Sequence, residues 1–253
     1  MPLPVIDVLV AGAGPAGSVA ALLLARAGAR VLLVDREVFP REKLCGDTVN
    51  PGAIDLLGSL QLAGGPVAQG APLTGMMLTG ARASVRAEYG GGRVGRSVPR
   101  AAFDQWLLER ALAAGARFES AVVVKQPLTH GEWRGPAVRG VWLAPRERPD
   151  AVRRIPAAMV IAADGVRSTL GRSLGLVAPA PSPRRWAFGV YARGVAGLST
   201  CGEMHVRGSY YTGVAPMPGG LANICVVTGP RPPGGRDPLA VIRARSEEHT
   251  SEL

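Results

Sequence analysis

Between residues 5 and 35, an apolar strand pattern, a glycine-rich turn, a helical run and a second apolar strand follow one another almost without a break. Val5–Ala11 is the first apolar run, Gly12-Ala13-Gly14-Pro15-Ala16-Gly17 is the turn, and Val31-Leu32-Leu33-Val34 is the second run, ending in Asp35. The order predicts a βαβ unit built to hold a dinucleotide. Gly12 permits the tight strand-to-helix turn, Gly14 lacks the Cβ that would keep a pyrophosphate away, and Gly17 lets helix pack on strand. The helix start at Pro15 and Ala16 offers unpaired N–H groups and a positive dipole end to phosphates, and Pro15 has no N–H to lose there. Asp35 can accept from a ribose diol and would repel a 2′-phosphate, so FAD or NAD is favoured over a 2′-phosphorylated nucleotide. Small residues that merely ease packing would explain an isolated glycine pattern, but not the ordered neighbours. Asp7 and three glycines within residues 5–24 argue against reading this stretch as a membrane span.

At 253 residues the chain can bury a sizeable core, and 47% hydrophobic with 5% aromatic residues suits a globular α/β protein. No secretory signal is expected before the first strand, which starts within the first ten residues. Cys45, Cys201 and Cys225 are odd in number and far apart, without metal-ligand spacing, so a reducing cytoplasmic setting and no metal site are expected. The net charge of +10 invites a nucleic-acid reading. However, the arginines are scattered, with no run longer than two, in a Gly- and Pro-rich chain that has only Lys43 and Lys125 as lysines, whereas a nucleic-acid footprint would be clustered and interleaved with aromatics. No nucleic-acid partner is expected.

Further along, Asn50-Pro51 reads as the cap and first turn of a short helix. Residues 73–98 read as short glycine-broken strands. Arg100–Ala114 reads as a helix with Phe103, Trp106, Leu107 and Ala111 on one face, ended by Gly115. Phe118–Val124 reads as one strand, Val138–Leu143 with Ala151–Ile155 as a hairpin, and Ala157–Ala163 as a buried strand ending at Asp164-Gly165. Beyond the Pro-rich crossover Pro179–Pro183, four runs alternate as strands: Trp186–Val195, Glu203–Val206, Ser209–Pro216 and Leu221–Thr228. The expected organisation is α/β. A Rossmann-like cofactor domain at 1–70 and 98–180 is interleaved with a β-rich domain at 71–97 and 181–244. Residues 245–253 lack apolar periodicity, match the in-frame translation of a common sequencing adapter, and are expected to be a non-native tail. His130 and His205 have no carboxylate or cysteine at useful sequence spacing and are expected to be structural or on the surface. Cys225, in the apolar run Ile224–Val227, is expected to be core.

Three stretches taken together resemble one family: Gly12–Gly17, Phe39-Pro-Arg-Glu-Lys-Leu-Cys-Gly-Asp47, and Ala163-Asp164-Gly165-Val166-Arg167-Ser168. They look like FAD-dependent oxidoreductases of the geranylgeranyl reductase type, among the flavoproteins that share the para-hydroxybenzoate hydroxylase fold. Arg100-x-x-Phe-Asp104-x-x-Leu and the Tyr-Tyr-x-Gly-x-x-Pro-x-x-Gly-Gly stretch at 210–220 fit the same pattern. The resemblance implies an FAD-binding domain with a β-rich substrate domain, and FAD as cofactor. Gly12, Gly14 and Gly17 would cradle the pyrophosphate, Asp35 would hold the adenosine ribose, Arg36 would lie beside the adenine, and Val124 would offer backbone groups to its edge. Arg100 would reach the phosphate or ribityl region, Asp164-Gly165 would lie near the pyrophosphate, and Cys45-Gly46 would approach the isoalloxazine. The family's third flavin motif, expected near residues 280–300, lies past Leu253, so the fold and the flavin site are expected to be incomplete and FAD binding weak.

The implied reaction is reduction of C=C bonds in an isoprenoid-like substrate, with NAD(P)H as expected electron donor. Cys45 is the candidate proton donor or site-shaping thiol. Lys43 and Arg41 would favour its thiolate if they lie close; alternatively Cys45 is a small structural residue in a tight turn. An NAD(P)H- and O2-dependent monooxygenase of the same fold is the rival enzyme. A non-catalytic flavin-binding fragment is the rival of another class. A flavin halogenase is disfavoured, because no Trp-x-Trp-x-Ile-Pro stretch surrounds Trp133 or Trp142. A lipid-like substrate leaves peripheral membrane contact open, and the oligomeric state is left open too.

Overall fold

The computed structural model describes residues 6–130, 137–178, 185–229, 237 and 239–243. The expected crossover at Pro179–Pro183, Trp133, the side chain of His130 and the tail 245–253 lie outside them. The chain divides into two compact units, Met1–Arg41 with Phe103–Pro181 and Glu42–Ala102 with Ser182–Leu253.

In the first unit the opening βαβ prediction holds. Strands Val8–Ala11 and Val31–Val34 pair in parallel around the helix Pro15–Arg26. All eight strand residues are buried, as expected of a parallel sheet. The described sheet has the order Met159–Ala162, Val8–Ala11, Val31–Val34, Arg117–Glu119. An antiparallel three-stranded sheet, Arg153–Pro156, Ala137–Pro145 and Val122–His130, packs with it around Leu9, Leu32, Val122, Val141, Leu143 and Ile155. Each such fully buried aliphatic side chain contributes about 1.5–3 kcal/mol.

Two strand expectations need correction. Phe118–Val124 is two strands in different sheets, not one. The peptide of Asp35 holds both ends of the break: its N–H donates to the Glu119 carbonyl at 3.0 Å and its carbonyl accepts from Val122 N–H at 3.0 Å. Ala121 between them takes φ 56°, and the chain leaves the parallel sheet there. The strand expected to be buried over Ala157–Ala163 is Met159–Ala162, at the edge of the described sheet, with Met159 57% exposed. An apolar run of this length does not distinguish a strand covered on both faces from one covered on one. The helix Arg100–Ala113 buries Leu107 and Ala111 as expected, but Leu108 and Asp104 rather than Phe103 and Trp106, whose rings stack at 6.3 Å.

The second unit is built on a six-stranded sheet in the order Trp186–Arg193, Leu221–Thr228, Tyr210–Met217, Cys201–Arg207, Gly75–Thr79, Ser84–Glu88. All neighbours are antiparallel except Cys201–Arg207 with Gly75–Thr79. Alternation separates its faces. Phe188, Tyr210 and Val226 pack on one side with Val241 and Ile242, whereas Tyr191, Asn223 and Cys225 point to the other. A small sheet joins Thr48–Val49 and Ala71–Leu73 to Gly95–Ser97. Through this pairing residues 42–70 and 98–102 cluster with the β-rich unit rather than with the βαβ unit. Asn50 caps the helix Pro51–Ser59, its Oδ1 accepting from Ala53 N–H at 2.8 Å. Among the described residues no helix is long and apolar enough to cross a membrane.

Candidate functional site

The three glycines of the turn differ in what they face. A Cβ on Gly12 would stand 2.3 Å from the Ala163 carbonyl oxygen, and Gly12 has φ 102°. A Cβ on Gly17 would stand 1.8 Å from the Gly12 carbonyl oxygen. Packing of strand, turn and helix therefore requires both. At Gly14 the nearest atom to such a Cβ is Arg41 Nη2 at 3.5 Å, an ordinary contact. The protein has room for a side chain at Gly14, so packing within the protein does not require a glycine there. Gly14 is also the N-cap of the helix and carries no side-chain cap, and Pro15 and Ala16 open the first turn.

Asp35 follows the second strand, and one carboxylate oxygen braces the glycine turn while the other braces the loop after the strand. Oδ2 accepts from Ala13 N–H at 2.7 Å and Oδ1 from Glu37 N–H at 2.9 Å. Each oxygen keeps acceptor capacity for a hydroxyl. Arg36 beside it is largely exposed and lies 3.3 Å from Glu37. Val124 has its side chain in the core and pairs with Leu143 across the antiparallel sheet. Asp164 accepts from Thr169 N–H at 2.7 Å through Oδ2, while Oδ1 is buried with no hydrogen-bond partner among the described residues. Gly165 takes φ 82° in that turn, and Ser168 caps the following turn of helix.

Arg41 stands four residues before Cys45 in the sequence. In the structure its Nη2 pairs with Asp104 at 2.9 Å, the two side chains being 12% and 0% exposed, and its guanidinium lies 5.0 Å over the Phe39 ring. Nη1 is buried and unpartnered among the described residues. A spare guanidinium donor at the open glycine suits a phosphate. The pairing joins residues 63 positions apart, and only the Arg100-x-x-Phe-Asp104 stretch hinted at it.

In the second unit the Cys45–Gly46 turn lies on the sheet face that carries Asn223 and Cys225. Leu44, Cys45, Met76, Met204, Asn223 and Cys225 line a cavity of about 360 Å³ there. Cys225 is not core. It is half-buried, with Sγ 3.3 Å from the Cys45 carbonyl and 3.1 Å from Asn223 Oδ1, and burial, with Asp47 and Cys45 adding to it, pushes its thiol up to about 11. The alternation that places Val226 in the core turns Cys225 outward. Asp47, 2% exposed, accepts from Tyr191 Oη and Asn223 Nδ2, each at 2.5 Å. Burial raises its pKa, against the opposing effects of Tyr191, Asn223 and Arg100. Arg100 begins its helix in this unit, close enough for its backbone and its charge to act on Asp47. The same desolvation, reinforced by Asp47, raises Tyr191. His205 also needs correction: it has a carboxylate partner. Nε2 lies 3.0 Å from Glu203 and Nδ1 2.7 Å from Thr79 Oγ1. A spacing of two on a strand puts 203 and 205 on one face, so this pairing is a signal the sequence carries. A groove of about 460 Å³ on the first unit, lined by Ile6, Leu32, Ile155 and three arginines, is larger but bears no thiol.

The parallel sheet, with its glycine turn at the start of the first helix, is that of the dinucleotide-binding α/β proteins. Within that class the chain belongs to the family described as FAD binding domain, which matches residues 5–228. It is 34% identical over 206 residues to digeranylgeranylglycerophospholipid reductase 1 of Methanopyrus kandleri, covering 81% of this chain and 48% of that one. It is 36% identical over 198 residues to menaquinone reductase of Mycobacterium tuberculosis, covering 74% and 43%. The chain thus spans about half the length of these relatives. A geranylgeranyl bacteriochlorophyll reductase-like protein of Thermoplasma acidophilum shares the fold with a TM-score of 0.72 at 24% identity, over 88% of this chain and 56% of that one. The myxobacterial chondrochloren halogenase shares it as well, with a TM-score of 0.69 at 22% identity, over 89% and 53%.

Proposed function

We propose that the chain is the FAD-binding and substrate-facing portion of a reductase that adds hydrogen across C=C bonds of an isoprenoid-like, lipid-soluble substrate. The observation that carries this reading is the cavity at the Cys45–Gly46 turn, whose apolar walls include Leu44, Met76, Met204 and Val227 and whose polar members are Cys45, Cys225, Asn223, Thr48, Tyr211 and Glu203. The apolar walls accept a hydrocarbon chain, and the Glu203 carboxylate disfavours an anionic aromatic acid. The reductase names of two relatives at 34% and 36% identity point the same way.

The turn at Gly12–Gly17, with Arg41 Nη1 as an added donor, would hold the FAD pyrophosphate. Asp35 would take the adenosine ribose, with Arg36 and Val124 near the adenine. Arg100 and Asp164-Gly165 would serve the ribityl–pyrophosphate stretch, and Cys45-Gly46 the isoalloxazine. When bound, FAD supplies the hydride, with NAD(P)H as the proposed donor of electrons to it. The chain's part is to orient a double bond, exclude water by its apolar walls, and hold a proton at Cys45 for the second carbon.

Anaerobic incubation with FAD, NADPH or dithionite, and a prenylated quinone or prenyl ether lipid tests the reading. Mass spectrometry is expected to show stepwise gain of hydrogen pairs in the prenyl chain. Substrate oxygenation that requires O2, with no gain of hydrogen without it, would instead establish the monooxygenase. Flavin binding without turnover of either kind would establish a binding module.

A further inference from the structure

Gly46 adds no packing to the Cys45–Gly46 turn, in which Cys45 is half-buried. Gly46 is exposed, and nothing lies within 4 Å of where its Cβ would stand. The next residue, Asp47, takes φ 54°, a left-handed conformation that a non-glycine residue keeps only where its surroundings fix it. What surrounds it is a set of hydrogen bonds. The Asp47 carbonyl accepts from Val98 N–H at 2.7 Å, and its Oδ2 accepts from both Tyr191 Oη and Asn223 Nδ2. Asn223 Nδ2 also donates to the Cys45 carbonyl at 3.0 Å, and Asn223 Oδ1 accepts from the Cys225 thiol at 3.1 Å. Tyr191 and Asn223 are a cross-strand pair, so sheet register presents both to the turn from one face. A buried carboxylate is costly, and apolar residues of similar size would suit an ordinary sheet face. Polar groups here therefore fix one geometry of the turn.

We propose that buried Asp47 and Asn223, with the partly exposed Tyr191, form a clamp that sets the Cys45–Gly46 turn against the cavity wall, making Asn223 the positioning residue for the Cys45 thiol. Asn223 is the hub because a single primary amide reaches the turn's carbonyl, its carboxylate and the second thiol at once. The meaning of that position for catalysis rests on the reductase reading, but the clamp itself is measured without it.

The test is iodoacetamide labelling of the full 253-residue chain, with rates read at Cys45, Cys225 and Cys201 by peptide mass spectrometry. Loss of one hydrogen bond to a charged group corresponds to about a tenfold change in local opening. N223A loses its bond to Asp47 together with those to the Cys45 carbonyl and the Cys225 thiol, so it is expected to label more than about tenfold faster than wild type at Cys45, and faster at Cys225, while buried Cys201 is unchanged. Y191F, which keeps the ring, is expected to raise Cys45 labelling by a smaller factor. Unchanged Cys45 labelling in both variants overturns the clamp. If N223A exposes Cys201 as well, it has lost the fold, and Y191F decides. Failure to reduce a prenyl chain while Cys45 labels faster in both variants would count against the reductase reading alone.

Discussion

Substituting alanine separately at the three glycines of the nucleotide turn divides packing from ligand binding. At Gly12, alanine meets the Ala163 carbonyl at 2.3 Å and must hold φ 102°. The backbone strain alone costs about 1–3 kcal/mol, and relief of the clash adds to it. At Gly17, the gain in helix propensity of about 1 kcal/mol is set against a methyl 1.8 Å from a backbone oxygen, which forces the helix off the strand. At Gly14, alanine meets only Arg41 at 3.5 Å in ordinary extended backbone, and the poorer N-cap costs about 1 kcal/mol at most. At about 2–4 °C per kcal/mol for a chain of this size, Gly12→Ala is expected to lower Tm by about 10 °C and Gly14→Ala by about 3 °C or less, both without flavin. The order reverses for the ligand. A methyl at Gly14 pushes a pyrophosphate off the helix N–H groups, and one lost charge-assisted hydrogen bond weakens FAD by about ten- to a hundredfold. Circular dichroism melting and FAD fluorescence titration of the same samples read both effects. Gly14→Ala melting alongside Gly12→Ala, or binding FAD like wild type, would refute the assignment of Gly14 to the phosphates.

Asp104→Asn leaves the Arg41 guanidinium without its buried counter-charge and should cost about 3 kcal/mol or more in urea unfolding. Asp7 receives two side-chain bonds and one backbone bond from Arg30, which lower its pKa from 3.8 to about 2. Its folded-state value is depressed, so its stabilisation is complete above pH 3.8 and is lost as pH falls through about 2; the stability difference between wild type and Asp7→Asn should shrink over that window. Asp47 has the opposite sign. Its pKa is raised above 3.8 by burial, so its contribution is fully present below 3.8 and is lost as pH rises through the folded value. The stability of wild type relative to Asp47→Asn is therefore expected to fall with rising pH.

The βαβ unit and its family were legible because local rules agree there: apolar period, glycine placement and an acidic strand end all lie within about thirty residues. The β-rich half was legible as strands because Trp186–Arg193 and Leu221–Thr228 are bounded by turn residues. What escaped was made by register and chain crossing. Asp47 and Asn223 meet across 176 positions, and Arg41 meets Asp104 after the whole of the intervening β-rich segment. No spacing rule reaches that far. The break at Ala121 escaped for another reason: the apolar pattern runs straight through it, and the Asp35 peptide that enforces it is distant in sequence.

Competition at the flavin site most directly tests the claim that Gly12–Asp35 holds the adenosine diphosphate half of FAD. Bound FAD in the 253-residue chain, followed by fluorescence, should be displaced by ADP. It should be displaced at least about tenfold less well by ADP carrying a 2′-phosphate, which Asp35 repels, and should resist FMN. Displacement by FMN as effective as by ADP, or no binding of FAD at all, would contradict it.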